Sequence, residues 1–254
     1  MSRQLAVAAA VLLIAPVAWG AEAASRPAAP GIVLPDLRSP GATGAALQWL
    51  VLVTVLAVAP AVVVMVTSFT RIIVALGLLR QALASQQLPP NQVLFGLALF
   101  MTAVVMAPVY RDVHRDSISP YLAGESDATA AWRAGEKHLR SFMIRQVEAA
   151  GNADDVYPFL EDELAKRKDL AWSDVPTVSL IPAFVTSELK TAFVIGFRIY
   201  LPFVIIDMLV ASVLISMGML MLPPVLVSMP FKLLLFVLAD GWRLVVGTLM
   251  KSFG

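Results

Sequence analysis

Residues Ile181–Asp207 read IPAFVTSELKTAFVIGFRIYLPFVIID, an apolar stretch long enough to cross a bilayer that still carries Glu188, Lys190, Arg198 and Asp207. A charge at the bilayer centre costs about 2.5–3.5 kcal/mol on insertion scales, so four uncompensated charges approach ~10 kcal/mol. Glu188 and Lys190 are two residues apart and point to nearly opposite faces of a helix, so they cannot neutralise each other. All four charges are therefore expected to be buried between helices or between subunits. The segment reads as the interior of an assembly.

Composition agrees with that class. The chain is 59% hydrophobic and 15% charged, outside the range of an ordinary soluble domain. A net charge of +1 gives no electrostatic footprint for nucleic acid. With no cysteine there is neither a disulfide framework nor a thiolate metal site. His114 and His138 stand far apart in sequence and read as solvated surface histidines rather than a metal pair.

The N-terminus has the form of a secretory signal. Arg3 supplies the basic region and Leu5–Trp19 an apolar core too short to span. Cleavage fits after Ala18-Trp19-Gly20 or Ala21-Glu22-Ala23. Residues 24–44, rich in Ala, Pro and Gly, follow as a mobile exported leader. Ala45–Val66 is long enough to span, with a kink expected at Pro60. With the leader exported, the basic segment Thr67–Pro90, carrying Arg71 and Arg80, falls on the cytoplasmic side as a connection. Val93–Tyr110 is a second apolar run, ended by Pro108 and Arg111.

Residues 111–176 form the extended polar region, with nine basic and thirteen acidic side chains, and are expected to be exported. Two amphipathic helices are legible. One starts near Ser126 or Asp127, repeats Trp132, Leu139, Phe142 and Val147, and stops at Gly151-Asn152. The other runs from Asp154-Asp155 to Lys166-Arg167-Lys168, its end charges suiting the helix dipole, with Pro158 in its first turn. Beyond Ile199 the apolar run is broken at Pro202 and at Pro223-Pro224, which leaves the number of spans open. Phe231–Met250 is the last apolar segment and contains Lys232, Asp240 and Arg243.

No nucleotide-binding loop, metal-ligand cluster or Gly-x-Ser-x-Gly elbow occurs, so no cofactor is expected. Ser187-Glu188-Leu189-Lys190 satisfies Ser-x-x-Lys, the pattern of Ser/Lys acylating enzymes, but the supporting Ser-Asp-Asn and Lys-Thr-Gly elements are missing. Met217-Gly218-Met219-Leu220-Met221 precedes Pro223-Pro224. On a helix these methionines scatter over opposite faces and read as core residues; in a loop they project to one side. Gly218 and the prolines favour the loop.

Long blocks in this order resemble the family of the flagellar export protein FliP and its virulence-secretion relatives. They are Ser68-Phe69-Thr70-Arg71-Ile72-Ile73, Pro89-Pro90-Asn91-Gln92-Val93, Pro182–Gly196, Leu209–Pro224, and Pro230-Phe231-Lys232 through Asp240-Gly241-Trp242. The signal sequence is closer to the flagellar branch. The resemblance implies an all-α, polytopic membrane protein of kinked helical hairpins with an exported helical region, in a complex lying largely above the membrane plane. With the residue reading above, it divides the chain into a signal peptide (1–23), a leader (24–44), a first hairpin (45–110), the exported region (111–176) and a second hairpin with a methionine-rich gate loop (177–254). It further implies a ring of five copies joined to FliQ, FliR and FlhB in the export gate of the bacterial inner membrane, at the flagellar basal body, with a periplasmic region. Met217, Met219 and Met221 would narrow its pore. Leu220, Val194 and Arg198 depart from the family's usual residues at their positions.

The expected function is a non-enzymatic gate subunit that passes unfolded flagellar proteins. Two rivals stand beside it. One is a proton- or ion-coupled transporter relaying through Glu188 and Asp207; the other is a hydrolase using Ser187 and Lys190.

Overall fold

A computed structural model describes residues 42–84, 89–167, 170–219 and 221–254. The expected signal peptide and nearly all of the leader lie outside the described residues, as do Lys168 and Leu220. The chain divides into two units, residues 1–53 and 54–254. Of the first, only the opening of helix α1 (Ala42–Met65) is described. Ala42, Thr43 and Gly44 already belong to this helix. Helix α1 passes Pro60 without ending, and no residue of its apolar stretch from Ala46 is buried within one copy.

Thr67–Pro90 is not a solvated connection. It contains helix α2 (Phe69–Ala82), among the most buried parts of the chain. Ile72, Ala75, Leu76, Leu79 and Ala82 recur at helical spacing and are fully buried, so one face of α2 lies deep in the core. The next helix, α3 (Asn91–Val113), does not stop at Pro108 or Arg111. It continues through a π-helical turn, His114–Ile118, into the short α4 (Ser119–Leu122). The π turn absorbs the misfit ahead of Pro120, whose ring nitrogen has no hydrogen to donate. Docking fixes this end: the Ser117 hydroxyl donates to the Ala131 carbonyl at 2.6 Å, and His138 Nε2 meets Asp116 at 2.9 Å.

Helix α5 (Ala128–Ala149) begins where the sequence indicates, with the Asp127 carboxylate accepting from the Ala130 amide at 2.8 Å. Phe142, Met143 and Val147 are buried, whereas Trp132, read as part of the same apolar stripe, is exposed. The second amphipathic helix fails as one element. Its residues form a 3₁₀ segment (Ala153–Phe159) and the single turn α6 (Asp162–Ala165), separated by extended backbone at Leu160 and Glu161. Pro158 removes the amide that a continuous helix needs there.

Helix α7 (Thr177–Ser216) runs for 40 residues straight through Pro182 and Pro202, where the sequence suggested a break. Helices α8 (Pro224–Leu238) and α9 (Gly241–Lys251) meet at a 67° bend. Asp240 forms the corner with φ +51°, a left-handed conformation that Asp tolerates better than most residues. The next residue must be small, because a Cβ on Gly241 would lie 2.2 Å from the Phe236 ring.

Two apolar cores result. One joins α2 to α3, α7, α8 and α9 around Ile72, Leu79, Met101, Ile195 and Leu249. The other joins α3 to α5, the 3₁₀ segment and the start of α7 around Phe142, Val147, Val156, Leu180 and Phe184. Helix α7 contributes to both cores, and Glu188 falls between its two stretches.

Candidate functional site

Arg71 is 1% exposed and Glu188 fully buried, so their geometry has to be good to offset desolvation. Arg71 Nε donates to one Glu188 oxygen at 2.8 Å and Nη2 to the other at 2.5 Å, a two-pronged contact that suits the planar guanidinium. Nη2 also reaches Gln146 Oε1 on α5 at 3.1 Å. Nη1 donates to the Ser252 carbonyl at 2.5 Å, just beyond α9. The Phe253 ring lies 4.1 Å from the guanidinium carbon, and Gln146 Nε2 donates to the Phe253 carbonyl at 3.2 Å. One arginine thus ties α2, α5, α7 and the segment after α9 together where the two cores adjoin.

A second ionic cluster sits at the other end of α2. Lys232 Nζ on α8 donates to Asp207 Oδ2 on α7 at 2.7 Å and to the carbonyl of Ala82, the last residue of α2, at 3.2 Å. A cation is favoured at a helix C-terminus. The Ser228 hydroxyl donates to Asp207 Oδ1 at 2.5 Å. Between the two clusters α2 and α7 run in the same direction and approach closely: a Cβ on Gly196 would fall 2.2 Å from Leu78 Cδ1.

Of the four expected charges, one copy of the chain buries Glu188 fully and Asp207 partly. Lys190 is exposed and pairs with Asp155 of the 3₁₀ segment, and Arg198 is exposed without an acidic partner among the described residues. Burial of these two therefore requires a neighbouring chain. The partners of the buried acids, Arg71 and Lys232, were not recognised from sequence. Arg71 was hidden by its reading as a connector; its signal was a lone cation among Phe69, Ile72 and Ile73. Lys232 carried the same signal inside the apolar run Phe231–Met250.

Neither rival finds support in this geometry. Both oxygens of Glu188 are held by Arg71, and those of Asp207 by Lys232 and Ser228, as in structural ion pairs. Ser187 is buried, its Oγ accepts from Asn152 Nδ2 at 3.0 Å, and the Lys190 ammonium is turned to Asp155. Among the described residues no group of His, Cys, Asp or Glu is arranged to hold a metal.

The methionine segment is a tight helix-ending loop, as Gly218 suggested. Gly218 takes φ +73°, and the Met219 amide donates back to the Leu214 carbonyl at 2.9 Å. Met217, Met219 and Met221 are exposed, Met221 at 99%. At the tip of the α7–α8 hairpin one copy leaves Met221 bare and Met217 and Met219 partly covered.

Three described helices are long and apolar enough to cross a membrane, or four spans if the bent α8–α9 pair counts as one. With no strand among the described residues, this is an all-helical membrane protein whose interior is joined by ion pairs. The FliP family model matches residues 52–249, and the chain belongs to that family. Over 205 residues it is 46% identical to the flagellar biosynthetic protein FliP of Bacillus subtilis, covering 80% of this chain and 90% of the relative. The Pectobacterium carotovorum protein of that name is 44% identical over 254 residues, 99% of this chain and 93% of its own. That of Caulobacter vibrioides is 47% identical over 213 residues, 84% and 78% respectively.

Proposed function

We propose that this chain is a core subunit of the flagellar type III protein export gate, and that copies of it surround the path of unfolded flagellar proteins. The observation that carries the gate is the Met217–Met221 loop, whose described methionines are exposed at a hairpin tip. Five copies, in company with FliQ, FliR and FlhB, would bring these loops to a common axis in the inner membrane at the basal body, with residues 111–176 on the periplasmic side. Methionine is apolar, flexible and polarisable. A ring of such side chains excludes water and ions by dewetting, yet deforms around a passing polypeptide. The subunit performs no bond chemistry in this reading. Its work is to hold the ring and its charges in register.

Conductance of intact closed complexes tests the gate. Replacing Met217, Met219 and Met221 together by Ala should leave the oligomer and at least part of export in place while the membrane leaks small ions. Equal leakage from wild-type and triple-variant complexes would return these residues to ordinary packing.

A further inference from the structure

Charge is unevenly placed along residues 111–176. Helix α5 carries Arg133, Lys137, Arg140 and Arg145 against Glu136 and Glu148. Residues 153–163 carry Asp154, Asp155, Glu161, Asp162 and Glu163 and no basic residue. Asp155 pairs with Lys190. Asp154, Glu161, Asp162 and Glu163 are exposed, and among the described residues no cation pairs with them.

The positive side has a defined shape. A groove of about 570 Å³ lies between α5 and residues 172–177. Arg140 fixes it: Nη1 donates to the Thr177 hydroxyl at 2.6 Å, and Nη2 to the carbonyls of Trp172 and Val175 at 2.9 and 2.8 Å. The Thr177 hydroxyl donates in turn to Glu136, so the acid of the groove is already engaged. Arg133 and Lys137 also line the groove. They stand four residues apart on one face of α5, exposed and without an acidic partner among the described residues. Trp132 and Val178, next in sequence to Arg133 and Thr177, are 72% and 83% exposed. Free cations beside bare apolar side chains suit a protein partner better than a small anion. The acidic segment has the matching composition, with Tyr157 exposed among its carboxylates.

A closed ring of more than two copies is built from head-to-tail contacts, so each copy must present two different patches that fit each other. The basic groove and the acidic segment are such a pair. We propose that the groove of one copy takes the acidic segment of the next, with Arg133 and Lys137 facing Glu161, Asp162 and Glu163. This rests on the ring reading above and adds which surfaces meet. Two grooves, or two acidic segments, repel each other, so the contact runs in one direction around the ring.

The chain contains no cysteine, so introduced thiols report without background. The assembled complex in mild detergent, with Lys137→Cys and Asp162→Cys in the same chain, is treated with a short bismaleimide. Denaturing gels should show a ladder of linked copies, whereas either single variant should stay monomeric because its thiol faces no other. Arg133→Glu with Lys137→Glu should lower the yield of complex on native gels about tenfold. Adding Asp162→Lys and Glu163→Lys to that chain should restore most of it. The docking is overturned, with the ring reading intact, if the doubly substituted chain gives no ladder while native mass spectrometry shows the oligomer. Unchanged yield on charge reversal, or linkage of position 137 to a different protein, also overturns it. Wild type without any oligomer removes the ring reading and the docking with it. Should the reversed variants fail to fold, the ladder alone decides.

Discussion

Arg71 and Glu188 are the two residues whose removal has the clearest consequence. Truncating Arg71 to Ala leaves a carboxylate buried among apolar side chains and should cost about 3–5 kcal/mol. Thermal unfolding of the purified protein should show this as a large loss of stability. Arg71→Lys keeps the charge but not the fork, and should fall between wild type and Ala. The double replacement Arg71→Met with Glu188→Met removes both ions and should recover much of the loss, because neither charge is then stranded. Lys190 behaves differently. Its pair with Asp155 is open to solvent on the lysine side but only 14% exposed on the aspartate side, so it stands between a surface pair and a buried one. Lys190→Ala should therefore cost a single copy less than Arg71→Ala does, because Lys190 itself is exposed. A fall in complex yield on native gels, with single-copy unfolding unchanged, would assign Lys190 to a contact between copies. At this scale the sequence was half legible. The cost of an unpaired charge in an apolar helix marked Glu188 and Asp207, but the identity of their partners depends on which helices pack together.

Among the elements, α7 carries the most information. It is long because its side chains serve two cores, and Pro182 and Pro202 do not divide it. In a membrane helix, neighbouring groups compensate the backbone bonds that proline removes, so sequence rules calibrated on soluble helices overstate its breaking power. The converse error occurred at 153–165, where the dipole-matched charges suggested one helix and the extended backbone at Leu160 and Glu161 made two short pieces. The packing of α2 on α7 depends on the absence of a side chain at Gly196. Gly196→Val should destabilise the protein by about 1–3 kcal/mol through overpacking against Leu78. Thermal melts should show that Leu78→Ala restores part of the loss in the double variant, whereas Leu78→Ala alone leaves a gap. Additive losses would mean that the two positions do not meet.

For the whole molecule, large apolar surfaces of α1 and α7 are left uncovered in one copy, including most of Ala46–Met65. Such surface requires lipid or further protein. Dilution of purified complexes in detergent should therefore separate the subunits before it unfolds them, which size-exclusion chromatography with parallel circular dichroism can follow. A single Met219→Ala should leak less than the triple methionine variant in the conductance assay, because its neighbours partly fill the gap. The sequence by itself determined the helical membrane class, from composition and the length of apolar runs. It also marked the acids that need partners and the glycine-closed methionine loop, since propensity, period and the cost of desolvation are local properties. It did not determine that Arg71 is a core residue, that α3 continues to the π turn, or that α2 is pinned by ions at both ends. Those features arise from contacts between residues far apart in the chain. Only the tertiary structure, by choosing which helices lie side by side, decided whether a charge is solvated or paired.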